Sequence, residues 1–146
     1  MKKIFFAAAA FLLTCSAFAH TIKDVNAKVL DAFNKTFQNT SQVVWHEYKD
    51  YYEVRFMQGT IDARVKYDTN GKIMEAVRYY KEDNLPLLIK AKIENKYTHE
   101  KIFGVTEVSS DAGVNYYVVL ENEKNWINIK CDYLGNISVQ NKFKKA

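Results

Sequence analysis

The sequence has 146 residues, a length typical of one domain. Its residues are 48% hydrophobic and 14% aromatic, with one proline and two cysteines, which excludes a disordered chain, a disulfide-dense scaffold and a four-cysteine zinc site. The formal net charge is only +4, and no stretch interleaves several basic and aromatic residues, so nucleic acid is not expected as a partner.

The N-terminus has the three parts of a secretory signal peptide. Lys2 and Lys3 make a basic start, and the segment from Ile4 to Leu13 is apolar throughout. Ala17-Phe18-Ala19 then supplies the small-x-small pattern that signal peptidase recognises. The apolar run of about ten residues is too short to cross a bilayer, which takes about 20 residues.

We therefore predict a signal peptide over residues 1–19, cleaved after Ala19. The mature chain, residues 20–146, has a net charge of +2, has no membrane span and is periplasmic or secreted. The alternative is a lipoprotein anchored through Cys15. Thr14 disfavours it, because threonine is a poor residue immediately before a lipidated cysteine.

The first half of the mature chain reads as a helix followed by four strands. Val25, Val29 and Phe33 recur at i+4 and predict a helix over Asp24–Phe37, capped by Asp24 or Thr21. Short connections of hairpin composition separate the runs that follow. The predicted strands are Val43–Tyr48, Tyr51–Met57, Ile61–Asp68 and Lys72–Lys81.

The second half has the same order of elements. Asn84 and Pro86 form a helix-start signal, with Asn84 as the cap and Pro86 in the first turn. Ile89, Ile93 and Tyr97 recur at i+4 and place the apolar stripe of this second helix. The predicted strands are Ile102–Val108, Val114–Glu121, Trp126–Tyr133 and Ile137–Phe143.

The two halves match in sequence as well as in order. Tyr67–Ile73 aligns with Cys131–Ile137 at one constant offset along the chain, and the aspartate, the glycine and the isoleucine are identical. We therefore predict tandem repeats, at about 22–81 and 83–146, each a helix followed by a four-stranded antiparallel meander. The fold class is α+β, with one sheet of about eight strands and both helices on one face.

The residues that carry chemistry form no catalytic or metal-binding pattern. The histidines are His20, His46 and His99, and their spacing does not place them as common ligands of one metal ion. Cys131 alternates with apolar residues on its predicted strand, which favours a buried, unreactive thiol. We predict no enzymatic activity, no metal and no cofactor.

The face of the predicted sheet that points away from the helices is unusually aromatic. Strand alternation sends Tyr51, Tyr117 and Trp126 to this face, with Arg55 among them. Arg78 and Tyr80 are expected to join them if their strand keeps its phase. Because exposed aromatic residues and arginine are enriched at protein interfaces, we predict a partner-binding surface here. The alternative is that these side chains only stabilise a solvated sheet through cross-strand packing.

The layout and several short motifs resemble the PepSY-like, β-lactamase-inhibitor-protein-like family of small periplasmic proteins. The motifs are Val44-Trp45, Tyr51-Tyr52-Glu53-Val54-Arg55-Phe56, Tyr67-Asp68-x-x-Gly71 and Leu85-Pro86. The resemblance implies a tandem helix–meander module that binds other proteins. Some proteins of this group act as peptidase pro-regions, and the namesake inhibits a β-lactamase with its sheet and a hairpin tip.

The resemblance implies one further candidate contact, and it also shows one difference from the namesake. The namesake presents an Asp-Tyr pair at its hairpin tip, and Asp50-Tyr51 occupies a matching hairpin here. Its disulfides cannot form in the mature chain, where Cys131 is the single cysteine.

Together these patterns predict an exported, non-enzymatic binding module, an inhibitor or regulator of a protein in the cell envelope. The alternative is a carrier that holds a small apolar or peptide ligand between helix and sheet. The predicted partner contacts are Asp50, Tyr51, Arg55, Tyr117 and Trp126.

Overall fold

The computed structural model describes residues 25–145. The predicted signal peptide, its cleavage site, Cys15 and His20 lie outside the described residues. The helices are α1 (Ala27–Thr36) and α2 (Leu87–Lys96), and the strands are β1 (Thr40–Glu47), β2 (Tyr51–Gln58), β3 (Ile61–Asp68), β4 (Ile73–Tyr80), β5 (Lys101–Ser110), β6 (Gly113–Glu121), β7 (Asn125–Asp132) and β8 (Ile137–Lys144).

All eight strands belong to one open antiparallel sheet, in which their spatial order is their order along the chain. The predicted α+β class and the single sheet of eight strands are therefore confirmed. Within residues 25–145, neither helix has the length and apolar character required to cross a bilayer.

Both helices begin later than the sequence pattern predicts. The Asn26 side chain caps α1 by accepting a hydrogen bond from the Lys28 amide at 2.8 Å, so the expected cap at Asp24 or Thr21 is wrong. Asn84 does not cap α2 either, because it ends a 3₁₀ turn over Glu82–Asn84. The ring of Pro86 forces the preceding residue into extended backbone, so α2 starts only after the proline.

α1 packs on the first three strands. Val29 and Phe33, on one stripe of the helix, contact an apolar sheet surface that is almost fully removed from water. Phe33 meets the rings of Trp45 and Phe56 edge-on, with centroids 5.4 and 5.2 Å apart. The sheet residues of this cluster are Trp45, Val54, Phe56, Ala63, Val65 and Tyr67.

α2 packs in the same manner on the later strands. Ile89 and Ile93 are its buried residues, and Leu85 is buried just before the helix. Cys131 lies in this cluster with no exposed surface, and burial raises the pKa of its thiol, so the expectation of a buried cysteine is confirmed. The sheet residues of the cluster are Tyr80, Val105, Tyr116, Val118, Leu120, Ile127, Ile129 and Cys131.

The pairing of β4 with β5 connects these two clusters, and it carries a polar network. Glu107 is only 8% exposed, and its carboxylate accepts hydrogen bonds from Tyr80 Oη at 2.6 Å and Arg78 Nη1 at 3.2 Å. Burial and this hydrogen bond raise the pKa of Tyr80. The buried carboxylate is therefore held by a cation and a hydroxyl donor, as burial of a charge requires.

Arg78 and Tyr80 consequently do not lie where the sequence predicts. Lys66 pairs with Glu75 but Tyr67 pairs with Ile73, so Met74 is an extra residue in β4. This bulge shifts the alternation by one residue for the rest of the strand. It turns Arg78 and Tyr80 to the side of the buried clusters, and Tyr79 takes the opposite side.

The Tyr67 side chain provides a test of the core. It has no exposed surface, and within the described part of the chain its hydroxyl has no hydrogen-bond partner. An unpaired buried hydroxyl costs roughly 1–3 kcal/mol, so Tyr67→Phe should raise the free energy of unfolding by about 1 kcal/mol, measured by urea denaturation.

Tyr80→Phe is the matched control, because it removes a hydroxyl that donates to Glu107. This substitution should lower the free energy of unfolding by about 1.5–3 kcal/mol, the usual contribution of a hydrogen bond to a charged group. Equal losses of stability in the two variants would contradict this description of the core.

Candidate partner-binding surface

One row of side chains crosses the sheet on the side opposite the buried clusters. Each strand alternates, so a residue next to a buried one points the other way. Each row residue has at least one buried neighbour along its strand, such as Ala63, Tyr80 or Val118. The row, which we call the outer row, consists of direct cross-strand partners on five adjacent strands: Asp62, Tyr79, Thr106, Tyr117 and Lys130.

The centre of the outer row is aromatic and accessible. Tyr79 and Tyr117 are each 40% exposed and flank the smaller Thr106. The ammonium group of Lys130 lies 5.8 Å from the centroid of the Tyr117 ring. Among the described residues, no carboxylate is within ion-pair distance of Lys130. The row therefore presents two tyrosines and a cation without an acidic partner.

The charges at the β2–β4 end of this face are already paired. Arg55 Nε and Nη2 donate to the two carboxylate oxygens of Asp62 at 3.1 and 2.5 Å. These hydrogen bonds lower the pKa of Asp62. Two further ion pairs follow on the same strands, Arg64–Glu53 at 3.8 Å and Lys66–Glu75 at 2.9 Å.

The hairpin tip at Asp50-Tyr51 is a separate feature. Asp50 is exposed in the turn between β1 and β2, and the Tyr51 ring stacks on Tyr48 with centroids 4.4 Å apart. The Tyr48 amide donates to the Tyr51 carbonyl at 2.9 Å and closes the turn. With neighbouring strands about 4.8 Å apart, four strand spacings, about 19 Å, separate this tip from Tyr117.

Trp126 lies at the opposite end of the strands and is only half-exposed. The Phe103 ring meets it edge-on at a centroid distance of 4.9 Å, and the ammonium group of Lys145 lies 4.3 Å from its centroid. Lys145 Nζ also donates to Glu121 Oε2 at 2.7 Å. The Trp126 ring is therefore already covered by the chain itself.

The five predicted contact residues thus do not form one compact patch. Tyr117 is part of the outer row, and Arg55 is joined to the row by its ion pair with Asp62. Asp50-Tyr51 and Trp126 lie at the periphery of the row. Tyr79 was not among the predicted contacts, because β4 carries apolar or aromatic residues in both phases. Only the bulge at Met74 decides which phase faces outward.

The clefts among the described residues are open to solvent, and both polar and apolar atoms line them. One of about 560 Å³ lies between the end of α2 and the start of β5, where apolar residues such as Ile93 and Ile102 contribute to it. Seven charged side chains also line this cleft. Beside the outer row lies a smaller cleft of about 310 Å³ lined by uncharged residues, among them Tyr117, Asn128 and Asn141. Residues 25–145 contain no group of three potential metal ligands.

Comparison with known proteins identifies the fold. The structure is similar to a BLIP-like protein of Bacteroides fragilis, with a TM-score of 0.57 and 16% identity over 80% of this chain and 84% of that one. It is also similar to a DUF2874 family protein of Bacteroides uniformis, with a TM-score of 0.56 and 17% identity over 81% and 88%. The resemblance to BLIP-like proteins is therefore confirmed for the fold. No protein-family profile and no curated protein sequence matches the chain.

A third similar structure is described as that of a candidate periplasmic protein, from Bacteroides eggerthii. It superposes with a TM-score of 0.56 and 15% identity, and the match covers 81% of this chain and 87% of that one. All three matches span most of both chains, so the likeness is not limited to one hairpin.

The Arg55–Asp62 pair gives a test of this surface. Because the guanidinium lowers the Asp62 pKa, Arg55→Ala should raise that pKa toward the usual aspartate value of about 3.9. Lys66→Ala breaks the ion pair with Glu75 instead and should leave the pKa of Asp62 unchanged. Carboxyl-detected NMR titration measures both.

The sign of the pH dependence follows from the lowered pKa. The pair contributes stability above the unfolded-state pKa of Asp62 and loses it as the pH falls through the lower folded-state value. Arg55→Ala should therefore destabilise the protein at neutral pH and have less effect once the pH has fallen through the lowered folded-state pKa and Asp62 is protonated. An Asp62 titration unaffected by Arg55→Ala would show that the pair is absent in solution.

Proposed function

We propose that the protein is an exported, non-enzymatic binding module that docks a protein of the cell envelope through the outer row. The arrangement that carries this proposal is the row itself: two half-exposed tyrosines on a regular sheet face, beside a lysine with no acidic partner within residues 25–145. Tyrosine and arginine side chains contribute interface energy out of proportion to their number, often about 2 kcal/mol or more each on truncation. Arg55 and the tip at Asp50-Tyr51 would extend the contact at one end, and Trp126 at the other.

The proposal includes both helices on one face of the sheet, which leaves the other face open. Register supports this, because direct cross-strand partners point to the same side. Ala63 of the α1 cluster pairs with Arg78, Arg78 pairs with Glu107, and Glu107 pairs with Tyr116 of the α2 cluster. An unbroken line of partners therefore leads from one helix-packed surface to the other.

A tandem repeat is also part of the proposal, and the turns after β3 and β7 support it. The Asp68 carboxylate accepts hydrogen bonds from the amides of Asn70 and Lys72, both at 2.9 Å. Asp132 holds the matching position in the second half, and it accepts from the amides of Leu134 and Asn136, again both at 2.9 Å.

The glycines of these turns match as well. Gly71 and Gly135 both have positive φ, of 87° and 84°. A side chain at Gly71 would meet the Lys28 carbonyl of α1 at 2.8 Å, and one at Gly135 would meet the side chain of Lys92 on α2. Each turn is therefore packed against the helix of its own half, and the offset that relates the two glycines also relates Lys28 to Lys92.

The edges of the sheet are poorer docking sites than its face. β1 has a register shift after Ser41, where Gln42 has a φ of 53°, and Gln140 is an extra residue in β8. Bulges and lysines on edge strands prevent another strand from pairing there. A partner is therefore expected on the open face.

The carrier is the second candidate, and the cleft of about 560 Å³ beside α2 is the observation in its favour. Its volume suits a small ligand. However, burial of an apolar ligand there would desolvate charged side chains such as Glu94 and Lys101, which costs free energy. The outer row requires no such desolvation at its centre and supports the binding module better.

Export has a direct test. Expression of the full chain in a Gram-negative host should yield a periplasmic protein whose mature N-terminus is His20, determined by intact mass and N-terminal sequencing. An uncleaved chain, or a membrane-bound chain that starts at a lipidated Cys15, would contradict the proposed export route.

The binding surface is tested once a partner has been captured from an envelope extract with the mature protein as bait. Tyr79→Ala with Tyr117→Ala should weaken binding at least a hundredfold, since each truncation at an interface centre costs about 2 kcal/mol or more. Isothermal titration calorimetry measures the affinity, and circular dichroism checks that the variant is folded.

Leu87→Ala with Leu88→Ala is the matched control on the other side of the protein. These α2 residues are 80% and 77% exposed, so their truncation removes comparable apolar surface without touching the outer row. It should leave the affinity unchanged. If the leucine variant loses binding and the folded tyrosine variant retains it, the helix side is the docking surface and the proposal is wrong.

A further inference from the structure

We propose that Trp126, Phe103 and Glu121 form a binding site for an organic ammonium group, which the chain's own Lys145 occupies in the free protein. This site is separate from the outer row, and as a binding site for a small cation it does not depend on the proposed function. The class of ligand can be inferred from the Lys145 ammonium group, which already occupies the site.

Three contacts hold Lys145 in this position. Its ammonium group lies 4.3 Å from the centroid of the Trp126 ring and 2.7 Å from Glu121 Oε2, and its backbone amide donates to the Lys124 carbonyl at 2.8 Å. The first two contacts are made by the charged group alone. A cation above the face of an indole ring and against a carboxylate is held by two attractions that a neutral group of the same size does not receive.

The surroundings of Trp126 are those of an aromatic cage. Phe103 approaches edge-on, with the two ring planes at 82°, and Phe143 is the direct partner of Trp126 on β8 and is exposed. Glu121 is its direct partner on β6. Aromatic rings grouped beside an anionic group are the arrangement by which proteins bind alkylated and quaternary ammonium ions.

Phe103 is itself held in place for this role. The ammonium group of Lys81 lies 4.4 Å from its ring centroid and donates to its backbone carbonyl at 2.7 Å. Phe103 is the extra residue at the register shift in β5, between Ile102 and Gly104. The bulge turns its side chain out of the normal alternation and against Trp126.

Lys145 therefore acts as a tethered competitor for its own site. An intramolecular group has a high effective concentration, so a free cation must displace it and binds weakly to the intact protein. In the proposed complex the displacing group is a lysine side chain of the partner, and this last step rests on the proposed function. Removal of the Lys145 side chain should expose the site while leaving its backbone hydrogen bond to Lys124 intact.

The test uses tetramethylammonium and n-butylammonium chloride as probes and the Lys145→Ala variant of the mature protein. The readout is the NMR signal of the Trp126 indole N–H, assigned by its absence in Trp126→Phe. The buried Trp45 gives an internal reference. Sodium chloride keeps the ionic strength constant, and tert-butanol is the neutral probe of similar size.

We expect at least one ammonium probe to shift the Trp126 signal of Lys145→Ala saturably, with at least tenfold weaker binding to the unsubstituted protein. Lys144→Ala, which removes the neighbouring lysine, should behave like the unsubstituted protein. Glu121→Gln in the Lys145→Ala background should weaken binding at least threefold. No saturable shift in folded Lys145→Ala, equal affinity in the unsubstituted protein, an equal shift with tert-butanol, or no weakening by Glu121→Gln would each overturn the proposal.

Discussion

The β4–β5 ladder is the contact on which the rest of the structure depends. Six residue pairs, from Glu75–Ser110 to Tyr80–Val105, connect the strands that follow α1 to those that follow α2. Without them each half would be a helix on four strands, a size at which burial only marginally offsets chain entropy. The ladder also carries the buried Glu107 carboxylate with its donors Arg78 and Tyr80. This network fixes the register, since a slip of one residue would leave the carboxylate buried without partners.

The same register creates the accessible surface. Once Tyr80 is directed into the core, Tyr79 must point the other way, and its partner Thr106 brings it level with Tyr117. The ion pairs of β2–β4 satisfy the charges beside it, which leaves Lys130 as the cation of the row without an acidic partner among the described residues. The face therefore has two parts. In one part the charged residues form ion pairs with one another, and the other part is aromatic. The aromatic part is the better candidate for a contact, because exposed ion pairs add little to binding.

Local sequence patterns predict the strands well and the phase of β4 poorly. Alternation places β3 over Ile61–Asp68, as the structure has it, because its apolar and charged residues separate cleanly. In β4 the residues Val77, Arg78, Tyr79 and Tyr80 suit either face, and the bulge at Met74 depends on pairing with β3 and β5 rather than on any local signal. The helix starts were misplaced for a related reason. Asn26 competes with two other potential caps, and only the packing of Val29 and Phe33 selects the first turn.

For the candidate site too, the placement of some residues could be predicted from the sequence and that of others could not. Alternation was sufficient to send Tyr117 and Arg55 outward, because their strands have one apolar phase. It could not indicate that Trp126 is covered, since the cover comes from Lys145, a flexible side chain beyond the last strand. Contacts of long side chains between distant parts of the chain leave no periodic trace in the sequence.

We propose that a partner docks on the face of the outer row and not on the helices. Isotope-filtered NMR of the isotopically labelled protein, bound to its captured and unlabelled partner, tests it most directly, because it detects protons at the interface without any substitution. We expect intermolecular NOEs to the ring protons of Tyr79 and Tyr117 and none to the methyl groups of Leu87 and Leu88. NOEs to the two leucines, with none to the tyrosine rings, would contradict it.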